Sequence, residues 1–173
     1  MTTLERTAIT IPINITLRPA RQADLPKLEW YGQYAHFRNI FRRTFREQLR
    51  GRRLMLIADA NNFPIGHIFI HLNTDNGDAR AYLYSFRVME MFRGRGIGTR
   101  LLQRAEAIAA HRGFRWTTIA VAKDNPQARR LYERLGYPAY ADDNGDWSFV
   151  DHEGRTQNVH EPCWLMEKQI KPR

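Results

Sequence analysis

The sequence has a single cysteine, Cys163, and no long hydrophobic run. One thiol cannot form a disulfide within the chain, and a metal site built from several cysteines is excluded for the same reason. No run approaches the length of a membrane span, and the N-terminal stretch MTTLERTAITIPINI lacks the basic start and continuous apolar core of a signal peptide. These absences predict a protein that has no membrane segment and works in a reducing, cytoplasmic setting.

Acidic residues are outnumbered by basic ones. The 27 Lys and Arg residues exceed the 18 Asp and Glu residues, which gives a formal charge of +9 and a pI near 10.2. Residues 37–53 alone carry seven arginines against one glutamate. Such a surplus favours an anionic partner, for example a phosphorylated cofactor, an acidic substrate, nucleic acid or anionic lipid. Charge alone does not choose among these, and we interpret the arginine face of 37–53 as a solvated surface.

Hydrophobic period and turn residues predict a mixed order of strands and helices. In chain order they predict a strand at 14–20, helices that begin near Asp24 and Phe37, strands at 54–60, 64–73 and 79–89, a helix from Ile97 to Gly113, a strand buried on both faces at 116–122, a helix from Pro126 to Leu135, and strands at 137–150 and 158–168. The pair Asn61-Asn62 predicts a hairpin, and an Asp-Asn-Gly-Asp turn lies within 137–150. A chain of this length builds one well-covered core. We therefore expect one α/β domain over residues 1–173, with a mixed sheet of about seven strands and about four helices.

The stretch MFRGRGIGTRLL at 91–102 places three glycines at the start of a predicted helix. The first four amides of a helix have no internal partner and lie at the positive end of its dipole, so a glycine turn leading into them can cradle a phosphate. Arg93, Arg95 and Arg100 add attraction for an anion, and Thr99 adds a hydroxyl. The spacing matches neither the dinucleotide fingerprint nor a Walker A loop, which disfavours hydride transfer and nucleotide hydrolysis.

The stretch VMEMFRGRGIGTRLL at 88–102 resembles the acyl-CoA binding motif of the GNAT superfamily of N-acyltransferases. That signature is Gln or Arg, two residues, Gly, one residue, then Gly or Ala, and Arg93, Gly96 and Gly98 match it. A second family motif is an Asn followed by a helix that contains Leu-Tyr and closes with Gly and an aromatic. It occurs here as NPQARRLYERLGY at 125–137. The resemblance implies the GNAT fold and acetyl-CoA as co-substrate, with no metal.

The resemblance also assigns a cofactor site within an acyl-CoA-binding core at about 79–137. The pyrophosphate of coenzyme A is expected on the backbone amides of the glycine turn, and the pantetheine arm on the free edge of the preceding strand. A backbone amide there is expected to polarise the thioester carbonyl, as an oxyanion donor does. The implied cofactor-binding residues are Phe86, Arg87, Val88, Arg93, Gly94, Arg95, Gly96, Ile97, Gly98, Thr99 and Asn125. Asn125 is equally suited to cap the following helix, and the two roles are compatible.

Tyr132 matches the tyrosine that donates a proton to the departing thiolate in many family members. A tyrosine with a pKa near its usual value of about 10 stays protonated at neutral pH and can supply that proton. The resemblance therefore implies that Tyr132 is the catalytic acid. The alternative is a core aromatic at helical spacing from Ala128.

The base that takes the proton of the acceptor amine is left open by the sequence. Candidates are Glu90, Tyr84, His67, His71 or a chain of waters. Glu90 is more simply interpreted as a solvated loop carboxylate. Ala120 stands where ribosomal-protein alanine acetyltransferases of this family have a glutamate, which weakens the hypothesis of a protein N-terminus as acceptor.

The resemblance implies transfer of an acetyl group to a small-molecule or peptide amine of unknown identity. It is compatible with a homodimer. Acceptor selection is expected from the first two helices and the C-terminal strands. An aromatic cluster precedes the basic helix and either lines a pocket or packs in the core: Trp30, Tyr31, Tyr34, His36 and Phe37. The alternatives are an acyl-CoA sensor without turnover and a basic nucleic-acid-binding module. The latter is disfavoured because it leaves Asn125 and Tyr132 unexplained.

Overall fold

The computed structural model describes residues 8–72 and 79–170. The strands are β1 (Ile15–Pro19), β2 (Arg53–Ala60), β3 (Phe63–His71), β4 (Arg80–Val88), β5 (Trp116–Ala122), β6 (Ala139–Asp143), β7 (Asp146–Val150), β8 (Thr156–His160) and β9 (Cys163–Gln169). The α-helices are α1 (Arg38–Leu49), α2 (Ile97–His111) and α3 (Pro126–Arg134), and short 3-10 turns occupy Gln22–Asp24, Lys27–Glu29, Ala35–Phe37 and Glu90–Phe92.

Seven strands form one mixed sheet in the order β1-β2-β3-β4-β5-β9-β6. The pairs are antiparallel except β4 with β5, which run parallel because the crossover helix α2 connects them. Strands β7 and β8 form a separate antiparallel hairpin. The predicted α/β fold class with a mixed seven-stranded sheet is therefore confirmed. Within the part of the chain that the structure describes, no helix is both long and apolar enough to cross a membrane.

The sheet separates two hydrophobic clusters, one on each face. Helix α2 buries Leu101 and Leu102 in the larger cluster, and α1 buries Phe41 in the smaller one. Strand β2 serves both, because successive side chains of a strand point to opposite faces: Leu56 belongs to the larger cluster and Ile57 to the smaller. Each of these side chains is at most 1% exposed, and such burial stabilises the fold by about 1.5–3 kcal/mol per side chain.

The turn between β2 and β3 confirms the predicted hairpin. Asn61 and Asn62 have φ values of +51° and +61°, so both central residues are left-handed. Asparagine tolerates this conformation better than most residues, and two left-handed residues match the twist of the strands in a tight hairpin.

Two sequence predictions about local structure are wrong. The helix expected from Asp24 through Trp30 is a series of 3-10 turns, because the Asp24 carboxylate binds Arg18 and caps the turn Gln22–Asp24 by accepting from the Arg21 N–H, and so does not cap a helix that follows it. The strand expected at 116–122 is not buried on both faces, since alternate residues of β5 are only half-buried.

The C-terminal region also departs from the sequence prediction. The two long strands expected at 137–150 and 158–168 are four shorter ones, interrupted at the predicted Asn144-Gly145 turn and at Glu161-Pro162. The chain leaves the main sheet at the first break to form the β7–β8 hairpin and returns at the second. Asn73, the last residue of the predicted strand at 64–73, lies outside the described residues.

Candidate active site

Strands β4 and β5 separate halfway along their length. Their parallel ladder joins Arg80 with Trp116 and ends at Leu83 with Ile119, although both strands continue in the same direction. The strand ends therefore form the two walls of an open cleft of about 710 Å³. The glycine turn and α3 complete it, so that the lining includes Phe86, Arg87, Val88, Arg93, Gly94, Gly96, Ile97, Gly98, Thr99, Ile119, Ala120, Asn125, Tyr132 and Glu161.

A β-bulge in β4 accompanies this separation. Tyr84 pairs with Phe69 and Arg87 pairs with His67, so two residues of β4 face one residue of β3. Ser85 in the bulge has φ +50°, a left-handed conformation that costs of the order of 1–3 kcal/mol in a residue other than glycine. A bulge bends its strand and re-aims the side chains that follow it. The sequence did not signal this feature, because Ser85 is not a glycine.

The glycine turn leads directly into helix α2, as the sequence predicted. Gly94 and Gly96 have φ values of +71° and +76°, and a Cβ built on either meets nothing within 4 Å. Gly96 is the N-cap of α2, and the first hydrogen bond of that helix runs from the Arg100 N–H to the Gly96 oxygen at 3.0 Å. The preceding amides are thus without helical partners beside the cleft. The turn offers an anion both backbone donors and open space.

The two arginines of the glycine turn, Arg93 and Arg95, differ in their contacts. The Arg93 Nε donates to the Val88 oxygen at 2.9 Å, which ties the turn to the end of β4. Arg95 is exposed and does not line the cleft. Gly98 lies against β4, since a Cβ there would approach the Phe86 ring to 3.4 Å.

Helix α3 forms the wall opposite the glycine turn. Asn125 accepts a hydrogen bond from the Ala128 N–H at 3.1 Å, so its helix-capping role is present, and the residue also lines the cleft. Tyr132 is 6% exposed and its ring lies 6.1 Å from that of Phe86, with the planes inclined by 27°. Burial raises the pKa of Tyr132, and nearby Tyr82 acts in the same direction. Tyr132 is therefore protonated at neutral pH.

The four candidate bases are scattered. His67 is fully buried among rings of the smaller cluster, including Phe69 at 4.9 Å, and burial lowers its pKa well below the usual value. Glu90 is exposed in a 3-10 turn, and His71 lies at the end of β3; neither lines the cleft. Tyr84 does line it, and its hydroxyl oxygen accepts a hydrogen bond from Arg53 at 2.6 Å.

A second cavity of about 560 Å³ adjoins the cleft. The two share four wall residues, Tyr84, Ser85, Arg87 and Ala120. The remaining wall comes from separate parts of the chain, namely the α1 region, β4, the β6–β7 turn and β9: Phe37, Ile40, Phe41, Arg43, Tyr82, Asp143, Gly145, Asp146, Trp147, Cys163 and Leu165. The sequence placed Tyr34, His36 and Phe37 in one cluster but could not identify Trp147 as a partner of Phe37, to which it stacks at 6.4 Å.

The β7–β8 hairpin is fixed over this second cavity. Asn39 of α1 donates to the Asp151 carbonyl oxygen at 2.6 Å, and the Asp151 carboxylate accepts from the Arg155 N–H and from Gln157 across the tip of the hairpin. Burial alone would raise the pKa of Asp151, but these donors lower it well below its usual range. At the base, Gly145 packs so closely that a Cβ there would overlap the carbonyl oxygen of Glu161.

Comparison with known proteins places the chain in a family. The model of the acetyltransferase (GNAT) family matches residues 17–137. The uncharacterized N-acetyltransferase YycN of Bacillus subtilis is 30% identical over 73 residues, which cover 42% of this chain and 47% of that protein. N-alpha-acetyltransferase 40 of Saccharomyces cerevisiae is 43% identical over 63 residues, 32% of this chain and 22% of that protein. The chain spans less than half the length of the curated relatives it matches.

Solved structures match over nearly the whole chain. An N-acetyltransferase from Staphylococcus aureus Mu50 superposes with a TM-score of 0.71 at 17% identity and covers 91% of this chain and 99% of its own. The ribosomal-protein-S18-alanine N-acetyltransferase of Escherichia coli gives 0.68 at 21%, with coverage of 91% and 95%. The structure of yncA from Salmonella typhimurium, solved with its cofactor acetyl-CoA, gives 0.68 at 19%, with coverage of 92% and 96%. The fold is therefore the GNAT fold, and the chain belongs to the GNAT acetyltransferase family.

Proposed function

We propose that this protein transfers an acetyl group from acetyl-CoA to a primary amine by direct attack in a ternary complex. The observation that carries the proposal is the cleft between the separated ends of β4 and β5, because it gathers the glycine turn, the free edge of β4 and Tyr132 around one space. The family match and the acetyl-CoA bound to the Salmonella neighbour support the choice of donor.

The residues of the cleft fit acetyl-CoA. The open backbone at Gly94 and Gly96 and the amides that begin α2 suit the pyrophosphate, which supplies the negative charge that a helix N-terminus favours. The unpaired edge of β4 at Phe86 to Val88 suits the amide-bearing pantetheine arm, and a backbone N–H on this edge would polarise the thioester carbonyl. Asn125 would contact the same arm while it caps α3.

Tyr132 is proposed as the general acid. Its hydroxyl belongs to a buried ring on the cleft wall, and burial keeps it protonated. Among the described residues, no hydrogen bond occupies that hydroxyl, so its proton is available to the departing sulfur. The core-aromatic alternative is not opposed to this role, because the same ring stacks on Phe86.

The second cavity is proposed as the acceptor site. It joins the cleft at Tyr84, Ser85, Arg87 and Ala120, so an amine that enters it reaches the cleft at the separated strand ends. Tyr84 is the candidate base that lies at this junction, and a chain of waters is the alternative. A small-molecule or peptide amine fits a cavity of this size. We also propose that residues 1–173 form one domain and that the protein works in the cytoplasm, either as a monomer or as a homodimer.

The test is a thiol-release screen of primary amines at fixed acetyl-CoA concentration. Release of free coenzyme A that depends on an amine supports transfer. Tight acetyl-CoA binding by calorimetry without release from any amine would indicate the acyl-CoA sensor instead. Affinity for nucleic acid that falls steeply with salt, in the absence of acetyl-CoA binding, would indicate the basic binding module.

A further inference from the structure

Arg87 follows the β4 bulge, and its guanidinium group lies beside the acceptor cavity. Its central carbon stands 4.7 Å from the centre of the Tyr34 ring and 5.0 Å from that of Phe37. Nη1 donates to the Ser85 hydroxyl at 2.8 Å and lies 3.5 Å from His67 Nε2. The side chain is thus held by two rings and by the bulge residue, and Arg87 lines both the cleft and the second cavity.

This guanidinium has no ion-pair partner in the part of the chain that the structure describes. Other partly buried arginines do: Arg18 binds Asp24 and Asp59, and Arg53 binds Glu47. Glu161 acts on Arg87 electrostatically from beyond ion-pair distance, and it is exposed. Burial lowers the pKa of Arg87, while the Tyr34 side chain and the more distant Glu161 act in the opposite direction. A half-buried cation without an anionic partner is costly, and an arginine fork has more donors than Ser85 and Tyr34 use.

We propose that Arg87 binds an anionic group of the acceptor, so that the substrate is a small amine that also carries a carboxylate or a phosphonate-like group. The planar fork of arginine matches both anions through paired hydrogen bonds. This inference rests on the proposed function, because it assigns the second cavity to the acceptor.

The other charges of the cavity fit such an acceptor. Asp143 and Asp146 lie in the wall opposite in charge to Arg87 and could attract an ammonium group. Asp143 also accepts from the Gly145 N–H at 2.7 Å, and Asp146 contacts His160 at 2.6 Å, so both carboxylates are anchored. Arg43 is a second cation in the lining, but it is exposed on α1 and therefore screened by water. Asp143 and Asp146 are exposed as well, so their attraction for an ammonium group is weak, and the half-buried Arg87 is the charge of this cavity that water screens least.

The experiment compares acceptors that differ only in the anion. Glycine, β-alanine, γ-aminobutyrate and ε-aminocaproate are compared with n-alkylamines and ω-aminoalkylphosphonates of the same chain lengths. For each pair, the readout is the ratio of kcat/KM between the anionic and the neutral amine. We expect this ratio to favour an anionic amine in the native protein and to fall by about 10- to 100-fold in Arg87→Met, which keeps the apolar stem. The series with the larger kcat/KM ratio, carboxylate or phosphonate, identifies the anion that Arg87 binds.

Matched variants and a binding measurement separate the possible outcomes. Arg43→Met removes the exposed cation of the same cavity and should change the ratio less than about threefold. Arg87→Lys should retain part of the preference, because it keeps the charge but not the fork. Calorimetry with the same amines, on protein saturated with coenzyme A, measures selectivity without turnover. Selective binding without turnover would overturn the proposed function and keep the role of Arg87, whereas turnover with an equal ratio in native protein and Arg87→Met would overturn the role of Arg87.

Discussion

The cleft and the acceptor cavity adjoin each other but are built in different ways. The cleft takes its glycine turn, strand edge and α3 from one continuous part of the chain, and its donors are mainly backbone amides. The cavity combines side chains from five segments of the chain, around α1, β4, β5, the β6–β7 turn and β9. A backbone site depends on conformation and therefore on glycines, whereas a side-chain site depends on the chemistry of individual residues. The first can be shared across a family and the second can vary with the acceptor.

The comparison predicts that variants of the two sites fail in different ways. Changes in the cleft should affect every acceptor equally, through the binding of acetyl-CoA or the chemical step. Changes in the cavity should alter KM and kcat/KM for the acceptor amine and leave the affinity for acetyl-CoA near its native value. A variant that mixes the two patterns would show that the sites are coupled.

The largest effect is expected for Tyr132→Phe. The change keeps the ring against Phe86 but removes the proton donor, so kcat should fall by about 10²- to 10⁴-fold while the Kd for acetyl-CoA barely moves. Pre-steady-state kinetics must show that chemistry limits turnover. The loss should shrink with an acyl donor whose leaving thiol has a lower pKa, because that thiolate needs the proton less.

Tyr137→Phe is the matched control for this variant. Tyr137 is fully buried five residues further on, where its hydroxyl interacts with Thr117 at 2.8 Å and donates to Glu106 at 2.9 Å. Its loss should lower the free energy of unfolding by about 1–3 kcal/mol, because polar partners are left buried, with little change in kcat. An unchanged kcat in Tyr132→Phe, with chemistry limiting, would remove Tyr132 from the mechanism and leave it a core aromatic.

The same contrast explains how much could be predicted from the sequence. The glycine turn, the Asn125 cap and the Asn61-Asn62 hairpin are local, so residue type alone determined their conformation. The 3-10 turns near Asp24 were missed because Arg18, on the preceding strand, takes its carboxylate. The Ser85 bulge depends on the register of β4 against β3, and the position of the β7–β8 hairpin depends on the contact of Asp151 with the remote Asn39, which no local pattern reports. The cleft was therefore predictable in outline, and the acceptor cavity was not.

Gly96→Asp should weaken acetyl-CoA binding by about 100-fold, because a carboxylate beside the turn repels the pyrophosphate. This repulsion is similar in size to the gain from one hydrogen bond between a backbone amide and a charged phosphate. The left-handed φ of +76° adds strain, but that strain is present in the free and bound states and so lowers stability rather than affinity. Calorimetry on folded protein measures the Kd. The control is Gly113→Asp, which has φ +88° and open space at the other end of α2. If both variants bind acetyl-CoA like the native protein, the turn does not hold the phosphates.

Gly145→Ala tests the acceptor half. Its Cβ would overlap the Glu161 oxygen, so the turn that carries Asp146 and Trp147 must shift and the cavity wall must move. We expect kcat/KM for the acceptor to fall roughly tenfold, the effect of about 1.4 kcal/mol, with an unchanged Kd for acetyl-CoA. Gly154→Ala is the control, because it has φ +82° at the distal end of the same hairpin without a close neighbour. Equal losses in both variants would attribute the effect to backbone strain instead of wall position.

The smallest effect is expected when Arg42 and Arg46 are both replaced by glutamine. Both side chains are exposed on α1, outside the lining of the cavity, and glutamine keeps the helix propensity and the polar surface. The Tm should therefore change by less than about 2 °C, since exposed substitutions seldom alter stability. Arg53→Gln is the contrast: this arginine is half-buried and binds both Glu47 and Tyr84, so its loss should lower the Tm further. The same double variant should leave the acceptor KM unchanged if the arginine face is only a solvated surface. A raised KM for anionic amines would instead show that the acceptor site extends from Arg87 to the exposed face of α1. Part of the acceptor selectivity would then come from long-range electrostatic attraction, and added salt should weaken it.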